Sequence, residues 1–417
     1  MDAPRYGDKI MARRRKRRKW PVILGILIIV CIFTGLGAAA KMLLPDLFAS
    51  TKEVIETVKM KTSPLANVPF EEIQIPDEDV SGGYYYQQLN EEEQNLYKEM
   101  YQGLKDSSPS IYMHSPDLKV LEKVSQYISM DRPELFWCEG QMQVTSYEQY
   151  SEVQPVYTYT GEEKDRRQAE IEAAANECFS GMTGEMSEYD RIKYIFEYLV
   201  NTVDYNLDAP DNQNIYSALV GKASVCAGYS RAAQYLLRRQ GIECIYVTGN
   251  IPNQGAHAWN IVKCNGQYYQ MDVTFGDPVF IEEEGGVRPP GQSINYDYLC
   301  CSDAEIMKNH TADTFVTFPQ CTSMDLNYYR LNGMYYDSFQ PDQILEAMNQ
   351  TIYNQEPSFT CKFANDTLYQ EAHDVILSDL VQRAAQNLLD YYGLESVQYT
   401  YVEDEVMDKL VIYWNYQ

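Results

Sequence analysis

Between Ser224 and Pro278 the chain offers, in order, Cys226, His257 and Asp272. A cysteine attacks a carbonyl carbon as its thiolate, so it needs a base within reach, and that base needs an anion to fix its tautomer and stabilise its cation. Cys226 would be the nucleophile, His257 the general base and then general acid, and Asp272 the orienting carboxylate. Each has a plainer role when taken singly: a small buried apolar residue, a histidine bonded to backbone, an aspartate ending a strand. The chemistry requires all three in one place.

The elements that must bring them there are legible. Ser224 is a good N-cap, and Ala227, Ala232, Ala233, Leu236 and Leu237 have helical spacing that stops at Gly241. This predicts Cys226 in the first turn of a helix, where unpaired N–H groups and the helix dipole favour a thiolate and lower a pKa of about 8.5 for a free cysteine. The backbone N–H of Cys226 is the natural first oxyanion donor. Trp259 is a candidate for the second, or for a wall of the acyl tunnel. IECIYVTGN reads as a strand, and HAWNIVKC and QYYQMDVTF read as two more, joined by the hairpin dipeptide Asn265-Gly266. A two-residue loop pairs Cys264 with Gln267, Trp259 with Asp272 and His257 with Thr274. His257 and Asp272 then share a face as diagonal neighbours, roughly 7 Å apart at Cα.

The segments GKASVCAGYSRAAQYLLRRQGIECIYVTG, GAHAWNIVKCNGQYYQMDVTFGDP and SEYDRIKYIFEYLVNTVDY resemble the transglutaminase-like core, a papain-related cysteine fold, over about residues 187 to 278. The resemblance implies an α+β core in which a helix-borne Cys packs on an antiparallel sheet carrying His and Asp, which fall on Cys226, His257 and Asp272. It implies that the loop before the cysteine, residues 201–222, borders a substrate groove, which makes Tyr205, Asn212 and Tyr216 substrate-contact candidates. It leaves the reaction open, since such relatives include amine-transferring crosslinkers, peptidases, amidases and scaffolds without activity.

The rest of the chain reads as delivery and support. Its 417 residues carry a formal charge of −26, yet residues 1–19 hold nine Lys or Arg and two Asp, leaving 25 basic and 58 acidic residues elsewhere. That excludes nucleic acid as the partner of the main body. The basic run Arg13–Lys19 abuts WPVILGILIIVCIFTGLGAAA, long enough to span a bilayer, and its charge places the N-terminus on the cytoplasmic side. A cleaved signal peptide is the rival reading, with Ala38-Ala39-Ala40 as the cleavage site. The expected organisation is a basic cytoplasmic tail (1–19), a transmembrane helix (20–41), a stalk (42–83), an accessory α+β module (84–165), the transglutaminase-like core (166–325) and a C-terminal α+β module (326–417). Within the core, the acidic Gly/Pro-rich loop IEEEGGVRPPGQSIN is a flap candidate, with Glu282 to Glu284 read as solvated rather than metal-binding, and His310 as structural. Ten cysteines show no CxxC or His/Cys cluster and no disulfide framework, and there is no glycine-rich phosphate loop, so neither metal nor cofactor is expected.

These readings converge on a single-pass cell-membrane protein with an extracytoplasmic thiol enzyme. It would form an acyl-enzyme on a peptide or glutamine-type amide of a protein substrate, such as a cell-wall or surface protein, released to an amine or to water. The alternative is a non-catalytic cell-surface adaptor that uses the same fold as a scaffold.

Overall fold

Apolar residues at three- and four-residue spacing set the helices of this chain, and β-branched and aromatic runs set its strands. The computed structural model describes residue 65 and residues 68–252, 254–277 and 294–416. The expected tail, membrane helix and most of the stalk, with the acidic loop around Glu282–Glu284, lie outside the described residues. Among the described residues no helix is long and apolar enough to cross a membrane.

The end of the expected stalk packs onto the body. Helix Asp77–Ser81 buries Val80 completely, Asp77 pairs with Lys98, and the Gln74 N–H donates to Gln102 Oε1 at 2.6 Å. Tyr85 and Tyr86 are buried as well. Helix α1 (Glu91–Asp106) starts at a capping box of Asn90 and Glu93, and α2 (Leu118–Asp131) is capped by Asp117. With β1 (Ile111–Met113), β2 (Cys138–Ser146) and β3 (Ser151–Tyr157) they form a small unit whose antiparallel sheet runs β1-β3-β2.

Helices α3 (Gly161–Ser180) and α4 (Glu188–Thr202) follow; the stripe Ile192, Ile195, Phe196, Leu199 and Val200 of α4 is buried, as its spacing predicts. Next come α5 (Ile215–Leu219), α6 (Cys226–Arg239), β4 (Cys244–Ile251), β5 (Gly255–Cys264), β6 (Gln267–Met271), the single turn α7 (Val273–Gly276) and β7 (Thr311–Ala312). Their antiparallel sheet runs β6-β5-β4-β7, and α6 packs against β4 and β5. One apolar core runs continuously from Val80 through the residues around Cys226 to Cys321, so segments 84–165 and 166–325 pack as one body. Polar ties join them too. Arg231, Gln234 and Arg238, on one stripe of α6, donate to the carbonyls of Ser129, Met130 and Asp131 in the last turn of α2, which no intrahelical N–H can reach.

The C-terminal segment has a second core, built on β8 (Tyr335–Tyr336), α8 (Pro341–Tyr353), β9 (Ser358–Phe363), α9 (Asp366–Val375), α10 (Val381–Tyr392), β10 (Gln398–Asp404) and β11 (Lys409–Asn415). Its sheet runs β8-β9-β11-β10. The stretch YYRLNGMYYDSF is a turn of helix Tyr328–Leu331 followed by the short β8: Asn327 caps the helix and Gly333, at φ 70°, reverses the chain. Met407, in the turn between β10 and β11, is buried in the main core, and a buried ion cluster surrounds it. There Lys362 Nζ lies 2.8 Å from Glu305 and donates to the Met407 carbonyl at 2.6 Å, while Lys409 pairs with Asp297.

Candidate active site

Cys226 opens α6. Its helix is capped by Val225 rather than Ser224, and no side chain bonds the first turn. Ser224 instead lies in a two-residue strand, paired in parallel with Asp204–Tyr205, and its hydroxyl donates to the Asn212 carbonyl at 2.7 Å. The same carbonyl accepts the Val225 N–H at 3.0 Å. The loop is therefore laced to the residues before the cysteine, and within the first turn the Gly228 N–H donates to the Val225 carbonyl at 2.9 Å. This close approach needs Gly228: a Cβ there would stand 1.8 Å from Ser224 Oγ.

His257 is brought over the helix start by β5. Ser230 Oγ donates to the Ala258 carbonyl at 2.8 Å and Asn260 Nδ2 donates to the Ser230 carbonyl at 3.0 Å, so two bonds from one turn of α6 grip the strand next to His257. The observed ladder pairs Cys264 with Gln267 and ends at Asn260 with Met271, the register the Asn-Gly turn predicts. Asp272 follows immediately as the N-cap of α7. Its Oδ1 accepts the N–H groups of Thr274 (2.9 Å) and Phe275 (3.2 Å), and its Oδ2 lies 2.6 Å from His257 Nε2. Nε2 faces Asp272, and Cys226 lies close enough to the imidazole to act on its charge.

Both charged partners are buried, Asp272 at 0% exposure and His257 at 7%. Burial works against the imidazolium, but the Asp272 charge and the Cys226 contact outweigh it and raise the His257 pKa to about 10. Burial likewise works against the carboxylate, and His257 and His310 together outweigh it, holding Asp272 well below the usual carboxylate range. The arrangement favours a proton on the imidazole beside Cys226.

His310, expected as structural, is bonded to the candidate site itself. It is buried, its Nε2 lies 2.9 Å from Asp272 Oδ2, and no spacing links it to a residue 38 positions earlier. One ligand atom each of His257, Asp272 and His310 lie within 4.8 Å of one another, a set that could hold a metal ion. The separations of 2.6 and 2.9 Å are those of N–H···O bonds, however. Ligands around a tetrahedral zinc stand roughly 3.3 Å apart at Zn–N distances near 2.0–2.1 Å.

The remaining candidates have other positions. The Trp259 indole N–H donates to Gln270 Oε1 at 2.8 Å, and the side chain is 1% exposed, so it is not available as the second oxyanion donor; the ring instead stacks beside His257 at 6.1 Å. The Tyr216 hydroxyl donates to Glu170 at 2.7 Å and its ring lies under Arg167, which holds it against α3 rather than at the cysteine. Asn212 Nδ2 donates to the Leu207 carbonyl at 2.7 Å, so Asn212 braces the loop with its side chain and the helix start with its backbone. Tyr205 is fixed in the strand beside Ser224, its ring 6.5 Å from that of Tyr229. A cavity of about 380 Å³ lies between α2, the β2–β3 hairpin and this loop, lined by Arg132, Phe136, Met142, Val156, Asn212 and Arg231. Cys226 is not on its wall; the cavity adjoins the site through Asn212.

All nine cysteines among the described residues are free thiols. Burial pushes the pKa of eight of them up: Cys138, Cys178, Cys244, Cys264, Cys300, Cys301, Cys321 and Cys361.

Residues 175–273, which include the cysteine, histidine and aspartate, match the transglutaminase-like superfamily. The mouse (Mus musculus) kyphoscoliosis peptidase is 22% identical over 126 residues, covering 26% of this chain and 19% of its own length. A solved transglutaminase (TGase) is 14% identical over 32% of this chain and 44% of its own, with a TM-score of 0.25. A Cytophaga hutchinsonii protein described as a candidate cysteine protease is 14% identical over 33% of this chain and 63% of its own, with a TM-score of 0.23. The chain thus spans about a fifth of the length of the curated relative it matches. It carries a domain of the transglutaminase-like superfamily.

Proposed function

We propose that this chain is a cysteine acyl-transfer enzyme of the protease or transglutaminase type. The observation that carries this is the position of His257, 2.6 Å from Asp272 and beside Cys226 at the start of α6, where no side chain caps the helix. The Cys226 thiolate attacks an amide carbonyl, and the developing oxyanion takes the Cys226 backbone N–H. The C–N bond breaks as the imidazolium gives its proton to the leaving nitrogen. The thioester is then opened by water or by an amine whose proton returns to His257. Acyl donors are peptide or glutamine-type amides of protein substrates, among them cell-wall and surface proteins, and both acceptors are compatible with the site.

Catalysis belongs outside the membrane in this proposal, with the chain anchored by residues 20–41; the support is the Arg13–Lys19 run set against an apolar stretch of about 20 residues. Protease added to intact cells should remove the body, and protection of the body would reverse this orientation. A non-catalytic adaptor is the second reading, and the cavity that adjoins but excludes Cys226 favours it.

A glutamine-containing peptide offered with a labelled primary amine tests the enzyme. Ammonia release, or a new peptide N-terminus, that depends on Cys226 supports it, and label incorporation separates transfer from hydrolysis. Equal product from the wild type and Cys226→Ala would leave the adaptor.

A further inference from the structure

The carboxylate of Asp272 has two ends with different duties. Oδ1 is fixed by the N–H groups of its own helical turn, and Oδ2 carries the link to His257. An oxygen of this kind has two lone-pair directions, and the second is taken by His310 Nε2 at 2.9 Å. His310 has aromatic walls, with ring centroids of Phe275 at 5.0 Å, Trp259 at 5.1 Å and Tyr298 at 5.5 Å. Its backbone is set by β7, the next two residues, which pairs with β4 at Gly249 and Asn250. A Cβ on Gly249 would stand 2.2 Å from the Thr311 carbonyl, so this approach requires glycine.

The far side of the ring continues the chain of contacts. His310 Nδ1 lies 2.6 Å from Asn309 Oδ1, and Asn309 Nδ2 donates to the Tyr298 hydroxyl at 2.6 Å. That hydroxyl in turn lies 3.9 Å from Met407 Sδ, on the turn that enters the main core from the C-terminal sheet. The Met407 carbonyl is held by the buried Lys362.

We infer that His310 is a positioning residue of the triad, holding the Asp272 carboxylate toward His257, and that contacts through Asn309, Tyr298 and Met407 hold it in turn from the C-terminal segment. This rests on the thiol-enzyme reading of the site. It gives the C-terminal segment a function beyond packing: it fixes the back of the active site. A donor to a carboxylate favours its charged form. Removing His310 frees the carboxylate to turn from His257, so the imidazolium is less stabilised and the thiolate beside it forms at higher pH.

The test is the pH profile of Cys226 alkylation by iodoacetamide in the full-length protein, with the modified residue located by peptide mass, so that no substrate is needed. His310→Leu should move the acid limb of the profile up by about one pH unit and slow the reaction near neutrality about tenfold. His310→Gln, which keeps an N–H donor, should restore part of the shift, and Asn309→Ala should give a smaller shift of the same sign. A folded His310→Leu protein with the wild-type acid limb overturns the inference, even if its overall rate is lower. Should His310→Leu not fold, Asn309→Ala decides, and an unmoved limb there has the same force. His257→Ala separates this from the reading beneath it. If His257→Ala leaves alkylation unchanged, the thiol-enzyme reading has failed; if it abolishes fast alkylation while the His310 and Asn309 variants keep the wild-type profile, only the positioning role has.

Discussion

His257 Nε2 and Asp272 Oδ2 lie 2.6 Å apart although the strand ladder that carries them closes one pair earlier, at Asn260 and Met271. Asp272 is thus not a strand residue facing across a sheet. It is the cap of a four-residue helix, where two backbone N–H groups fix one oxygen and leave the other for the histidines. The carboxylate is oriented by its own backbone, and its charge favours a proton on the imidazole beside Cys226.

Loss of the thiol should abolish turnover without loss of structure. Cys226 is only half-buried, and Ala removes one sulfur atom from the first turn of a helix. Cys226→Ala is expected to reduce turnover by at least about 10³-fold with a melting temperature near that of the wild type, as steady-state kinetics and calorimetry would measure.

The histidine and the aspartate give stability opposite pH dependences. The His257 pKa rises from 6.5 to about 10, so its contribution is full below about pH 6.5 and is lost as pH rises through about 10. The Asp272 value is depressed from 3.8, so its contribution is full above about pH 3.8 and is lost as pH falls through the lower folded value. Between pH 7 and pH 10 the wild type should therefore lose more thermal stability than His257→Gln. Parallel melting curves for the two proteins across that range would contradict the ion pair.

Gly228 is a steric requirement of the site. Its missing Cβ leaves room for Ser224 Oγ and for the carbonyls of Asn212 and Asn214, 3.1 Å from where that atom would be. Gly228→Ala should cost about 1–3 kcal/mol in a denaturant titration and slow Cys226 alkylation by displacing the loop. A stability equal to wild type would show that the loop is not seated on the helix.

Legibility of this chain in its sequence followed the range of the interactions. The hairpin register, the α4 stripe and the place of Cys226 in a first turn rest on local spacing, and all three match the structure. Ser224 is not the cap its residue type predicts, because its hydroxyl bonds a loop carbonyl 12 residues away, which no local rule records. Trp259 lies beside His257 as its place in the chain suggests, but Gln270, on the next strand, takes the N–H that would have served an oxyanion. His310 and the Met407 turn reach the site only through tertiary packing.

The buried ion cluster should hold the two cores together. Lys362 is fully buried against Glu305 and Asp297, and Lys362→Met leaves these carboxylates without it. We expect a loss of about 3–5 kcal/mol in chemical denaturation, with the C-terminal segment loosening first by hydrogen exchange. Unchanged protection around Met407 would show that the cluster does not dock that segment.

Competition among the cysteines tests the central claim most directly. Iodoacetamide at neutral pH, followed by peptide mass mapping, should modify Cys226 well ahead of the eight other described thiols, whose pKa values burial raises. His257→Ala should slow that modification by about tenfold or more. If Cys226 reacts no faster in the wild type than in His257→Ala, the imidazole does not activate the thiol, and the acyl-transfer account is wrong.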